Sequence, residues 1–398
     1  MEINEKILFI EINNFELSFI VGEIIENKKF KLIHSNSTPL VGIQDNIITD
    51  INLVHKSISE NIYLIEQKLN VVFKDTVLVI DNFRFSLINL SGFKKLNGSQ
   101  LKKENITYLL NSLKLNISEI DIEKSIIHIF SSKYLLDKKR IENLPIGLFG
   151  DLYSQELSFF LLNNNDLKNI YEIFNKCNLR IRKIMSKSFV EGANLINNNF
   201  NLETFFKIEI NQNYSKIFFF ENSALKFMQK FKFGTDLIIK DISKITAINY
   251  ESTINILNKS NFSNNKSEEE YVEKDFFVNQ NFRRIKKNLI IEIARARIQE
   301  LAEIIILKNV NFKSILNNQK TFFLKINYSI DSGLFNDHFK FFFAKEKKLD
   351  LKFIEQFDLE TLYANGNEIV QFGWKSEIIP IVQQKKSIIT KFFDLLFN

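Results

Sequence analysis

The chain has 398 residues, too many for one small domain and enough for two to four compact units. Its hydrophobic fraction of 45% and charged fraction of 25% are those of a soluble globular protein and exclude a chain disordered throughout. The net charge of +6 would suit an anionic partner, yet Ile, Asn, Lys and Phe are abundant throughout while Gly (11) and Pro (3) are scarce, so the basicity also reads as the skew of an AT-rich coding sequence. The single cysteine, Cys177, excludes an intrachain disulfide. His34, His55, His128 and His338 are too far apart in sequence for metal-ligand spacing. No basic stretch with an apolar run opens the chain, and no uncharged apolar run reaches the ~18 residues of a spanning helix. The expectation is a cytoplasmic chain, unless something attaches it to a surface.

In chain order, the first feature is an internal repeat. Residues 6–12 form an apolar strand-like run ending in Ile10-Glu11-Ile12-Asn13, followed by a polar turn and further apolar runs at 17–21 and 30–33. The same succession recurs at Ile208-Glu209-Ile210-Asn211, with a turn at 212–215 and runs at 216–220 and 225–231. Each copy predicts three antiparallel strands joined by tight turns, and two copies half a chain apart predict two related α/β domains facing across a cleft. Residues 53–69 place Val54, Ile58, Ile62, Ile65 and Leu69 at helical period; 166–177 and 288–307 read as helices too. Asparagine clusters at 163–165, 197–199 and 261–265 read as loops, and 260–270 as a polar surface loop.

Four stretches carry a resemblance. One is His128-Ile129-Phe130, Tyr134-Leu135-Leu136-Asp137 and Pro145-Ile146-Gly147-Leu148-Phe149-Gly150; a second is Phe233-Gly234-Thr235-Asp236-Leu237-Ile238-Ile239-Lys240-Asp241-Ile242. The third is Ala294-Arg295-Ala296-Arg297-Ile298-Gln299-Glu300-Leu301, and the fourth is the C-terminus. In this order they resemble the actin-like cell-division family FtsA, although the second stretch has one glycine where the family pattern has two. The resemblance implies an α/β, actin-like two-domain fold of the actin/Hsp70/sugar-kinase type. It puts a first domain core at 1–82 and 160–203, with an FtsA-type extra subdomain at 83–159. A second core follows at 204–235 and 295–356, with its outer subdomain at 236–294. A closing segment and linker at 357–384 and a membrane-targeting helix at 385–398 complete it.

In this fold ATP sits in the cleft between two glycine-containing phosphate loops, because glycine lets backbone N–H groups approach phosphate, and the loop carboxylates organise Mg²⁺. The corresponding residues here are Glu11, Asn13 and Asn14 in the first loop, Glu209, Asn211 and Gln212 in the second, and Gly234 beyond it. Both acids are Glu rather than Asp, and every phosphate-loop glycine is gone. Asn tolerates a left-handed backbone best after glycine, so the turns are expected to keep their shape while losing room for phosphate. Two readings stand: a degenerate, non-catalytic site that keeps its scaffold, and one in which backbone shifts still admit ATP and Mg²⁺. Glu11 and Glu209 also read as ordinary turn carboxylates.

At 100° per residue the last twelve residues put Ile388, Ile389, Phe392, Phe393, Leu395, Leu396 and Phe397 on one broad face, behind Lys385 and Lys386. That is the pattern of an interfacial anchor too short to span a bilayer; a terminal helix packed on the protein's own core is the competing reading. By resemblance the outer subdomain of the second half would take the acidic tail of the tubulin-like protein FtsZ, and Arg283, Arg284, Lys286 and Lys287 are the cluster suited to carboxylates, though such a run is also an ordinary solvated helix face. The resemblance thus implies a scaffold that polymerises and ties FtsZ to the anionic inner membrane at the division septum, with other division proteins as partners. A nucleic-acid role lacks aromatics interleaved with basic residues. The alternatives are an actin-like ATPase and an adaptor of another membrane machine such as pilus assembly.

Overall fold

Strands β1 (Lys6–Ile12), β2 (Glu16–Ile25) and β3 (Lys29–Pro39) form an antiparallel meander. The short pair β4 (Ile43–Gln44) and β5 (Ile47–Ile48), helix α1 (Ile51–Leu69) and β6 (Asp75–Ile80) follow. Next come β7 (Ser86–Lys95), α2 (Lys103–Ile120), β8 (Lys124–Leu136), β9 (Lys139–Ile141) and β10 (Leu152–Asn163), then α3 (Asn164–Lys176), β11 (Arg180–Ser186) and α4 (Lys187–Asn198). The second half holds β12 (Phe205–Ile210), β13 (Ser215–Glu221), β14 (Ala224–Phe231), α5 (Asp236–Thr246), α6 (Tyr250–Lys259) and α7 (Lys287–Ala302). It ends with α8 (Val310–Ile315), β15 (Thr321–Ile326), α9 (Gly333–Ala344), β16 (Asp350–Ile354) and α10 (Leu359–Phe372). The computed structural model describes residues 5–13, 16–25, 29–44, 47–81, 83–260, 270–315, 321–327, 333–344 and 349–378.

The chain divides into two units, Met1–Val190 with Leu362–Asn398, and Glu191–Thr361. In the first, the five-stranded sheet runs β11-β6-β1-β2-β3, with β1–β3 antiparallel and β1, β6 and β11 parallel. In the second, the order is β16-β15-β12-β13-β14 with the same directions. The sequence repeat is therefore a repeat of sheet topology, and Glu11 and Glu209 are each the penultimate residue of the central strand.

Local signals account for the elements. The apolar stripe Val54, Ile58, Ile62 and Ile65 of α1 is buried, and Asp50 caps its start by accepting the N–H groups of Asn52 and Leu53 at 2.9 and 3.0 Å. Residues 163–165, expected as a loop, are a direct strand-to-helix junction: Asn163 ends β10 and caps α3 by accepting the Asn165 N–H at 2.9 Å. Residues 197 and 198 likewise belong to α4 and not to a loop. Asparagine is a good N-cap as well as a loop former, and composition does not distinguish the two uses. The cluster at 261–265 lies outside the described residues.

A separate antiparallel sheet, β7-β10-β8-β9, lies in the first unit between β6 and α3 and runs from Ser86 to Asn163. Helix α2 covers it, with Leu101, Ile106, Leu109, Ile117, Ile129 and Tyr153 in its core. At Gly92 a Cβ would stand 2.6 Å from the Leu109 side chain, so glycine sets how closely α2 lies on β7. In the second unit Phe206 stacks on Phe219 and Phe322 at 4.5 and 4.9 Å between ring centroids and meets Phe312 at 4.7 Å.

Candidate functional site

Strand β1 alternates faces: Leu8, Ile10 and Ile12 enter the core with α1 and α3, which leaves Phe9 and Glu11 on the other face. Glu11 is 4% exposed. One carboxylate oxygen is ion-paired with Lys187, the first residue of α4, and the other accepts the Tyr363 hydroxyl of α10 at 2.6 Å. After β1, the Asn13 side chain accepts the Glu16 N–H at 3.0 Å while the Asn13 N–H donates to the Glu16 carbonyl at 3.2 Å, a turn built by the side chain. Asn14 lies outside the described residues.

In the second unit Glu209 is 7% exposed and its carboxylate meets Lys207 Nζ at 2.6 Å. Lys207 is fully buried and also paired with Glu191 of α4, which Lys325 of β15 reaches at 3.3 Å. The rings of Phe218 and Phe357 lie 5.1 and 5.8 Å from Lys207 Nζ. Burial alone would lower the Lys207 pKa; Glu191 and Glu209 outweigh it and raise it above the ordinary lysine value.

The turn after β12 is closed by the Asn211 N–H donating to the Tyr214 carbonyl at 2.9 Å. The carbonyls of Asn211 and Gln212 accept the N–H groups of Thr235 and Asp236, both at 2.9 Å, at the start of α5. Gly234 permits this contact, because a Cβ there would lie 1.8 Å from the Asn211 oxygen. Asn13 and Asn211 are not among the described residues of positive φ, so the expectation that asparagine preserves a left-handed turn fails for both. Asn13 is used for its side-chain acceptor instead, and Asn211 for its backbone groups and a hydrogen bond from Asn327.

A third buried cluster was not expected. His128 on β8 is completely buried and its Nδ1 lies 2.6 Å from Glu377 Oε1, while its Nε2 accepts the Ser186 N–H at 3.3 Å. Lys183 of β11 holds the other Glu377 oxygen at 2.7 Å. Burial pushes the Glu377 pKa up, but His128 and Lys183 outweigh it and hold the carboxyl below the usual range.

Of the expected partner-binding cluster, Arg283, Arg284 and Lys286 are exposed, with Arg284 lying over the Tyr271 ring at 4.1 Å. Lys287 is not part of that surface: it is 7% exposed, opens α7 and pairs with Glu270 at 3.0 Å. Helix periodicity turns it inward. Lys385, Lys386, Ile388, Ile389, Phe392, Phe393, Leu395, Leu396 and Phe397 lie outside the described residues. Among the described residues no helix is long and apolar enough to cross a membrane, and no group of three or more His, Cys, Asp and Glu is placed to hold a metal ion.

The sequence reading missed Lys187, Tyr363, Glu191, Lys207, Lys325, Lys183 and Glu377. Only Lys207 left a local signal, a lysine two residues before Glu209 and so on the same face of an otherwise apolar strand. Removing one partner of a buried ion cluster leaves charge uncompensated and costs roughly 3–5 kcal/mol. Lys207→Met is therefore expected to destabilise the protein by about that much in urea unfolding, and adding Glu191→Gln should recover part of the loss. Equal stability of Lys207→Met and the wild type would show that the cluster does not act as one charged unit.

No protein-family model matches the chain. It is 21% identical over 307 residues to the cell division protein FtsA of Buchnera aphidicola subsp. Schizaphis graminum, covering 76% of this chain and 72% of that one. It is 19% identical over 314 residues to the FtsA of Neisseria meningitidis serogroup B, covering 77% and 75%. Among solved structures, one titled PilM-PilN type IV pilus biogenesis complex aligns at TM-score 0.55 and 10% identity over 92% of this chain and 95% of that one, a likeness of fold. The shared sheet topology of the two units, the inserted four-stranded sheet and the similarity to cell-division proteins over three quarters of the length converge: the chain is an FtsA-like protein with the actin-like fold.

Proposed function

We propose that this FtsA-like chain works in cell division as a polymerising scaffold that ties FtsZ to the cytoplasmic face of the inner membrane at the septum, without turning over ATP. The observation that carries the reading is the similarity to FtsA along three quarters of the chain. The likeness to the pilus complex is one of fold and lends no function. The amphipathic pattern of residues 387–398, behind Lys385 and Lys386, supports attachment to an anionic leaflet, with the apolar face in the acyl boundary and about 1 kcal/mol from each lysine near the headgroups. One copy of so short an amphipathic stretch would bind reversibly, and a filament of copies would multiply the attachment. The exposed Arg283, Arg284 and Lys286 suit an acidic FtsZ tail.

The loss of ATP chemistry is supported loop by loop. Glu11 and Glu209, the acids that would organise Mg²⁺, hold lysine ammonium groups of their own. The N–H groups of Thr235 and Asp236 are engaged by turn carbonyls, and Asn13 and Asn211 carry side chains where phosphate needs bare backbone. These contacts support a site without turnover.

Deleting residues 387–398 is expected to shift the protein from vesicles containing anionic lipid to the supernatant in co-sedimentation, with an unchanged melting temperature. A sharp fall in melting temperature would instead assign the segment to the core. Replacing Arg283 and Arg284 by Glu should weaken binding of an FtsZ tail peptide in calorimetry by about tenfold at low salt and by less in high salt, where exposed pairs are screened over about 8–10 Å. Phosphate release from MgATP by the pure protein is expected to equal that of buffer; a turnover abolished by Glu209→Gln would overturn the non-catalytic reading.

A further inference from the structure

The boundary between the two units falls inside a helix: α4 runs from Lys187 to Asn198, and the first unit's opening segment ends at Val190. Residues 188–196 are all buried, about two and a half turns with no face left to water. The first turn is seated in unit one. Lys187 pairs with Glu11 of β1, the Phe189 ring lies 4.8 Å from that of Phe130, and Val190 lies 3.8 Å from where a Cβ on Gly366 of α10 would stand. The rest is seated in unit two. Glu191 pairs with Lys207 of β12 and Lys325 of β15, and Gly192 lies so close to the Phe220 ring of β13 that a Cβ would come within 2.1 Å of it. Lys187 and Glu191 are four residues apart and share one side of the helix. Each reaches a charged side chain on the central strand of a different unit.

We propose that α4 is an interlock: Lys187 and Glu191 pin one helix to both central strands, so that the two units unfold as one although each has its own core. Domains with separate cores melt independently when the chain between them is an exposed linker. Here the connecting chain is itself buried structure. Melting α4 takes Lys187 away from Glu11 in one unit and Glu191 away from Lys207 in the other. A buried charge that loses its partner is among the costliest defects a fold can carry. Loss of the helix therefore damages both units at once, and each unit holds α4 in the form that the other needs. Shape adds to charge: Phe189 fills the first unit's aromatic cluster, and Gly192 lets the helix lie directly on Phe220. The interlock needs no nucleotide, membrane or partner protein.

Urea unfolding of the full chain, followed in both units, tests the interlock. Trp374, the only tryptophan, reports on unit one by fluorescence, and pulsed hydrogen exchange of the β12 and β13 amides reports on unit two. In the wild type the two signals are expected to be lost at one midpoint. Phe312→Ala opens a cavity beside Phe206, on the face of β12 opposite Lys207, and should lower that midpoint for both signals together. Lys187→Met should part the signals by about 1 M urea or more, Trp374 first, and Glu191→Gln should part them in the reverse order. Signals already separate in the wild type overturn the interlock. So do signals that stay together in both pin variants, or that part as widely in Phe312→Ala. If either pin variant does not fold, Lys325→Met replaces it, because Lys325 lies 3.3 Å from Glu191 with 17% of its side chain exposed. Loosening that contact should part the signals by a smaller interval, and coincident signals there would overturn the proposal.

Discussion

A carboxylate at the end of a central strand and shut away from water has to find its own cation, because an unpaired buried charge costs several kcal/mol. Glu11 and Glu209 both stand in that position. The requirement fixes what surrounds them. In the first unit it recruits the residue that opens α4 and a tyrosine on α10; in the second it places a lysine inside the central strand, whose residues other than Lys207 and Glu209 are apolar. Lys207 would have no tolerable position there without Glu191 and Glu209 together.

The two units therefore share a topology and solve the same electrostatic problem differently. Unit one takes its cation from the helix after β11, unit two from the strand itself, with Lys325 of the parallel neighbour β15 reaching Glu191. The loops beside the acids diverge as well. After β1 an asparagine side chain closes the turn, whereas after β12 two carbonyls lie against the start of α5 over Gly234. One glycine stands where two backbone segments touch. The buried carboxylates are held by the protein's own ammonium groups.

The inserted sheet shows how a small addition becomes part of a unit. Its own core lies under α2, but its β8 edge is incomplete until the chain returns after α10. Residues almost 250 apart in sequence thus close one strand edge, with a buried histidine, glutamate and lysine at the joint. An open edge would be a liability for pairing with another chain, and the returning segment covers it.

The sequence by itself determined the repeated strand-turn-strand openings, the amphipathic α1, α3 and α7 and the place of the two strand-end acids. These signals are local: period two or 3.6, and motif residues close together along the chain. Tertiary structure alone decided what the acids touch. Lys187 lies 176 residues from Glu11, Tyr363 lies 352 away, and Glu377 lies 249 from His128, separations across which no pattern in the chain carries information. It also decided that Lys287 turns inward and that Asn13 and Asn211 avoid the left-handed region, since burial and backbone angle follow from neighbours that only the folded chain supplies.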